Sequence, residues 1–188
     1  HELYIDLVTF GTGVMFVEAD QEQQLRFSTR HIKECFLSED EKGRVDTVFR
    51  EFKMPVRAAR KRFEGADFGN KILKKAEKDP YEMIKLVHCV FQRDDRDITK
   101  INSQNKPFAS IYVEPEEKIV LGESGFDEFP YCAPRYSKSS SEIGYGRSPS
   151  MTALSDIKML NRMCEVTIRA AQKQVDPPLL VPDDGFLL

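Results

Sequence analysis

Met83 to Phe91 is the stretch that most restricts how this chain can fold. On an extended backbone it puts Ile84, Leu86 and Val90 on one side and Met83, Val87, Cys89 and Phe91 on the other. A strand apolar on both faces has no place at a wet edge, so the pattern predicts a central strand.

The segments around it supply neighbours for that strand. Leu3, Leu7 and Phe10 recur at helical spacing and Gly11-Thr12-Gly13 stops them, which reads as the end of a helix. Val14 to Val17 reads as a strand, Leu25, Phe27 and Thr29 alternate, and Ile32 to Leu37 continues the extended pattern up to a polar turn at 38–43. Arg44 to Phe52 alternates again, predicting an antiparallel hairpin. After Met54-Pro55 the period changes to helical, with Val56, Ala59, Arg60 and Phe63 on one side of a short basic helix and Arg57 and Lys61 on another. A second short helix is expected from about Phe68 to Glu77, ending before Asp79-Pro80. Beyond the central strand, Arg93 to Lys106 is a polar loop, and Phe108 to Val113 pairs with Ile119 to Gly122 around residues 114–117.

Residues 126–148 carry Pro130, Pro134, Ser137, Ser139, Ser140, Ser141 and Gly144-Tyr145-Gly146, and are expected to form an ordered but irregular connection rather than a sheet element. Ser148-Pro149 has the chemistry of a helix N-cap. Ala153, Ile157, Leu160, Cys164, Ala171 and Val175 then fall on one stripe of a long helix that ends at Asp176-Pro177-Pro178. The fold class is α+β: an antiparallel or mixed sheet with short helices and one long C-terminal amphipathic helix. The expected organisation is an α+β unit over 1–125, the connection over 126–148, and over 149–188 the helix with a proline-rich exit, packed on the same domain.

Charge narrows the function. Across 188 residues, 28 Lys and Arg stand against 31 Asp and Glu, a net −3, which disfavours a domain whose main task is gripping a polyanion. Two blocks depart from that average: Lys53 to Lys75 has a local balance of +6 and Val113 to Glu128 one of −5. They suit either contact between copies or two solvated surfaces. Within the first block Arg57, Arg60, Lys61 and Arg62 are candidate contacts to nucleic acid or to a neighbouring subunit. On the long helix Lys158, Arg162, Arg169 and Lys173 are further candidates, lying within about 60° of one another at 100° per residue, with Glu165 interrupting them.

The four cysteines have neither C-x-x-C spacing nor a zinc pattern, and three sit in apolar runs as buried free thiols do, so no metal or cofactor is expected and a reducing compartment is the simpler setting. Leu7 to Val17 lacks charge but is too short to cross a bilayer and has no basic flank. No membrane partner is expected. Ser155-Asp156-Ile157-Lys158 matches S-x-x-K, in which a lysine amine one helical turn away can act as base for a serine hydroxyl. It lacks K-T-G and S-D-N companions, and a hydrolase stays the least favoured reading. The two Gly-x-Gly pairs lack the remaining glycines of nucleotide loops, and turn geometry accounts for them better.

Several stretches together carry a likeness. They are Phe126–Tyr131 (FDEFPY), Arg135-Tyr136, Glu142–Pro149 (EIGYGRSP), Ala153–Asn161 (ALSDIKMLN), Ala170–Gln172 (AAQ) and Val175–Pro182 (VDPPLLVP). Phe10–Val14 (FGTGV) and Leu86–Val90 (LVHCV) add to them. Over most of its length, from about Leu3 to Gly185, the chain resembles the head-to-tail connector, or portal, proteins of short-tailed bacteriophages. The chain opens on His1 rather than Met, as a piece of a longer protein would.

The resemblance implies a structural subunit, not an enzyme, of a homo-oligomeric ring, commonly a dodecamer, at one capsid vertex of the virion. Double-stranded DNA is packaged and ejected through such a ring, the packaging terminase docks on it, and capsid and tail proteins adjoin it; assembly takes place in the host cytoplasm. Within the family's layout of wing, stem and clip, the piece is expected to be wing-like and to lead into the stem. Near-neutral charge suits a conduit, because a surface making about 6–10 phosphate contacts would hold DNA rather than pass it. The alternative kept beside this reading is a stand-alone nucleic-acid-binding module.

Overall fold

In the computed structural model, residues 1–20, 24–97, 99–138 and 144–178 are described. Ser139, Ser140, Ser141, Glu142 and the Leu179–Pro182 part of the proline-rich exit lie outside the described residues. The chain divides after Pro149 into two compact units.

The first unit is α+β. Its elements run α1 (Glu2–Phe10), β1 (Val14–Asp20), β2 (Gln24–Arg30), β3 (Cys35–Glu39), β4 (Val45–Pro55), α2 (Val56–Arg62), α3 (Asn70–Lys78), β5 (Met83–Gln92), β6 (Phe108–Glu114), β7 (Ile119–Phe126) and β8 (Tyr131–Cys132). Two antiparallel sheets result, a five-stranded one in the order β3-β4-β5-β6-β7 and a three-stranded one in the order β2-β1-β8. β5 is the middle strand of the larger sheet, as its apolar pattern predicts.

That sheet, however, buries one face only. Val48, Phe52, Ile84, Leu86 and Val90 are buried, while Phe36, Phe49, Met83 and Val120 on the other side are exposed. The buried face carries two cores placed in succession along the strands. In the first, Phe52, Ile84, Leu86 and Leu121 pack on Val56 and Ala59 of α2 and on Phe68 and Ile72 at α3. In the second, Val48, Val90, Cys35 and Leu37 pack on Val14 and Phe16 of β1 and on Tyr131 of β8. Arg60, expected beside Val56 and Ala59, is exposed instead. Burial at 25 cal/mol per Å² is the main stabilising term in both cores, to order of magnitude.

Three further expectations change. The extended pattern from Leu25 to Leu37 is interrupted by a 3-10 turn at Ile32–Glu34, which moves the chain from the small sheet to the large one. The 126–148 connection does enter a sheet, because Tyr131 and Cys132 pair with Phe16 and Met15. Only Cys35 is fully buried, its thiol pushed up to about 11 by burial, whereas Cys132 and Cys164 are exposed.

The connection is held by contacts that span the unit. Tyr145 Oη donates to the Cys35 carbonyl at 3.2 Å and accepts from Leu37 N–H at 3.2 Å. Arg135 and Lys138 both pair with the nearly buried Glu39, and Arg135 also donates to the Gly43 carbonyl at 2.9 Å. The two Gly-x-Gly pairs meet each other. Gly146 N–H donates to the buried Thr12 Oγ1 at 2.7 Å, and Tyr136 N–H to the Gly11 carbonyl at 2.9 Å. A Cβ on Gly11 would lie 2.4 Å from the Gly146 carbonyl oxygen, and Gly11 has φ +78 as the C-cap of α1. Ser148 belongs to this junction too: its hydroxyl donates to the Thr9 carbonyl at 2.9 Å.

The second unit is helical. A four-residue turn, α4 (Pro149–Thr152), opens at the boundary and is followed by α5 (Leu154–Val175), so the single helix expected from 149 to 175 is in two pieces around Ala153. Ala153 sits at φ −85, ψ 4, the bridge region between helical and extended backbone. No residue of α5 is buried.

Gly11→Ala combines left-handed strain with a backbone clash, and its expected cost is roughly 2–5 kcal/mol in urea unfolding. Gly65 has φ +85 with nothing within 4 Å of a Cβ, so Gly65→Ala isolates the strain term at about 1–2 kcal/mol. Equal losses for the two variants would show that the Gly11–Gly146 contact contributes nothing.

Candidate nucleic-acid or subunit interface

α2 presents its basic residues outward because Val56 and Ala59 take the inward positions. Arg57, Arg60, Lys61 and Arg62 are all exposed. Two of them are tied to aromatic neighbours. Arg57 donates to Tyr81 Oη at 2.9 Å with its guanidinium 5.9 Å from the ring, and Arg62 donates to Tyr112 Oη at 2.7 Å with its guanidinium 4.8 Å from that ring. Arg60 and Lys61 have no ion pair among the described residues.

The opposite charge blocks meet within the chain, an outcome neither sequence reading anticipated. Lys75 of α3 lies 3.7 Å from both Glu82 and Glu116, and Lys71 N–H donates to Glu117 at 3.2 Å. Glu114, counted among the acidic surface, is buried: its carboxylate accepts from Glu116 N–H at 2.9 Å and Glu117 N–H at 2.6 Å, closing the β6–β7 turn.

α5 carries the other four candidates. Arg162 and Arg169 both pair with Glu165 at 2.6 Å, so the acid that interrupts the basic stripe also neutralises part of it. Lys158 and Lys173 have no ion pair among the described residues. The α2 set and the α5 set fall in different units. The apolar arc of α5 is wider than the predicted stripe. Met159, Met163, Val166 and Ile168 join Ile157, Leu160 and Val175, all exposed, and the arc spans roughly 200° of the helix. Ser155 and Lys158 stand exposed on this helix with no hydrogen bond between them among the described residues.

One polar feature of the first unit had no sequence signal. Arg50, His88 and Tyr112 are direct cross-strand partners on β4, β5 and β6, and they interrupt the apolar face where its two cores adjoin. A cavity of about 230 Å³ opens at this row. Arg26, Arg30 and Glu18 from the small sheet, Arg62 from α2 and Tyr131 from β8 also line it. His88 is 2% exposed, stacks on Tyr112 at 4.1 Å, and has Ser110 Oγ 2.9 Å from Nε2 and Tyr131 Oη 3.3 Å from Nδ1. Burial first, and then Arg62, Arg50 and Arg30, push its pKa down to about 3, so its imidazole is neutral at pH 7. Burial likewise lowers Arg30 and raises the Tyr131 and Tyr112 phenols.

Comparison with known proteins decides what family this fold serves. A family described as "Bacteriophage head to tail connecting protein" matches residues 1–187. The chain belongs to that family. It is 33% identical over 183 residues to the portal protein of Salmonella phage epsilon15, covering 96% of this chain and 33% of that protein. It is 29% identical over 185 residues to the probable portal protein of Bordetella phage BPP-1, covering 97% of this chain and again 33% of the relative. This connector-family chain thus spans about a third of the length of the curated relatives it matches. No described helix is long and apolar enough to cross a membrane.

Neutral His88 makes the connector-family unit acid-sensitive. Its folded pKa lies below the ordinary value of about 6.5, so the unfolded chain takes up a proton that the native one excludes. Stability from this residue is complete above about pH 6.5 and is lost as pH falls toward 3, by an amount of order a few kcal/mol. Urea midpoints measured from pH 7 to pH 4 should fall more steeply in the wild type than in His88→Gln. Parallel slopes would assign the acid sensitivity elsewhere.

Proposed function

We propose that this chain is part of a structural, non-enzymatic subunit of a phage or prophage portal: a homo-oligomeric ring, commonly a dodecamer, through which double-stranded DNA is packaged and ejected. Its place is the portal vertex of the virion, after assembly in the host cytoplasm, and its partners are terminase, capsid and tail proteins. Family membership supports the class, and one physical observation carries the assembly: α5 is the one long helix of its unit, and nothing among the described residues of that unit covers its apolar arc. A helix apolar over more than half its circumference is buried in something larger. The outer face of the five-stranded sheet, with Phe36, Phe49, Met83 and Val120 exposed, adds to that demand. Head-to-tail packing of two different patches is the kind of contact that closes a ring.

The nucleic-acid-binding alternative is weakened by the same side chains that suggested it. Glu165 neutralises part of Arg162 and Arg169, and hydrogen bonds to Tyr81 and Tyr112 orient Arg57 and Arg62 without neutralising them, which leaves Arg60, Lys61, Lys158 and Lys173 with neither kind of partner among the described residues. In this reading the eight basic residues serve contacts between subunits and a glancing surface for DNA rather than a grip. Ser155 and Lys158 are surface residues of α5 and have no part in bond chemistry.

Native mass spectrometry and electron microscopy of the full-length protein test the ring. The expected result is a closed oligomer that Leu160→Glu combined with Met163→Glu shifts to smaller species, while the circular dichroism of the first unit is unchanged. A full-length wild-type protein that stays monomeric at high concentration would overturn the proposal. So would tight, salt-sensitive binding of duplex DNA by the monomer, lost on replacing Arg57, Arg60, Lys61 and Arg62.

A further inference from the structure

We infer that the cavity between the two sheets, lined by Arg26, Arg30, Arg50 and Arg62, is a binding site for a phosphate group. It lies wholly within the first unit, and the assignment is independent of whether the full-length protein forms a ring.

The charge at the cavity is incompletely balanced. Among the described residues, four guanidinium groups line it and the one acid in the lining is Glu18. Arg50 has a second acid outside the lining, Glu34, which accepts from Nε and Nη2 at 2.9 Å. Among the described residues two positive charges remain after both acids are counted, since neutral His88 adds none. A phosphate dianion matches that excess, whereas a single carboxylate would offset only half of it.

The donors are also set for an oxyanion. Arg30 Nε is buried and has no hydrogen-bond partner among the described residues, an arrangement that a folded protein tolerates where a ligand completes it. Ring faces hold three of the guanidinium groups: Phe16 lies 5.6 Å from Arg30, Phe52 lies 4.4 Å from Arg50, and Tyr112 lies 4.8 Å from Arg62. Planar forks held in this way are preorganised for phosphate oxygens. Exposed Arg26 and Arg62 stand at the mouth, and buried His88 and Tyr131 at the floor. The volume, about 230 Å³, holds a phosphate group with a few of its waters, each occupying about 30 Å³. The pKa of His88 is depressed first by burial and then by Arg62, Arg50 and Arg30, its cationic neighbours.

The phosphate can be a free ion or phosphomonoester, or a phosphodiester of DNA. Calorimetric titration of the full chain with inorganic phosphate, against sodium chloride at matched ionic strength, tests the site. The expected result is saturable binding specific to phosphate, weakened at least about tenfold by Arg30→Gln and by Arg62→Gln. Arg62 is exposed on α2, so its variant keeps the test meaningful if the substitution at Arg30 prevents folding. A short duplex that competes with phosphate assigns the backbone of DNA as the source; phosphate binding without such competition assigns the small anion. Phosphate and chloride acting alike, or binding that neither substitution weakens, overturns the inference.

Discussion

The first unit is closed by backbone lying on backbone. Gly11, at the end of α1, and Gly146, more than 130 residues later, approach so closely that neither accepts a side chain, and the buried Thr12 hydroxyl takes the Gly146 amide in the gap between them. Everything from β1 to β8 lies between these two points in the chain. With the ends joined there, β1 is placed to pair with β2 on one side and with Tyr131-Cys132 on the other, and Tyr145 reaches the Cys35 and Leu37 backbone on β3. Glu39, held by Arg135 and Lys138, completes the attachment with charge-assisted bonds at low exposure, where they are strongest. An irregular segment that would otherwise carry a large entropy cost is ordered by these few contacts.

Between the two cores the larger sheet departs from hydrophobic alternation. Arg50, His88 and Tyr112 occupy inward positions on three adjacent strands, where an apolar row would have merged the cores into one. Polar groups are retained at buried positions only where hydrogen bonds or a ligand satisfy them. His88 is satisfied by Ser110 and Tyr131, while the guanidinium groups around it outnumber their acids. Elsewhere the imbalance is of another kind, since the far face of the larger sheet and the apolar arc of α5 each exceed what the described residues of their own unit cover. Both point beyond the chain, one to a small anion or a phosphate backbone and the other to protein surface.

Local patterns were legible where an element depends on its own period. β5, both hairpins, α2 after Met54-Pro55 and the long C-terminal helix follow from alternation, turn residues and the proline start. The signals that failed were those in which a neighbour overrides the period. Ile32 to Glu34 reads as a continuing strand but turns, because the chain must pass from one sheet to the other. Tyr131-Cys132 is too short, between two prolines, to look like a strand, and pairs because β1 offers an open edge. Among the candidate site residues, Arg57, Arg60, Lys61 and Arg62 were visible as a run, but the tyrosines that engage two of them lie in the turn before β5 and on β6. Arg26 and Arg30 on β2 and Arg50 on β4 raised no signal at all, being single charges within two alternating stretches.

The sequence by itself determined the class of fold, the family, the central strand and the amphipathic helices, since each depends on residue type at short, regular spacing. Tertiary structure alone decided that opposite charge blocks meet inside the chain, that two Gly-x-Gly turns lock together, and that four arginines from two strands and a helix share one cavity. The physical reason is range: periodicity reports which face a residue takes, whereas partner choice across sheets depends on register and close approach between segments that no local pattern connects.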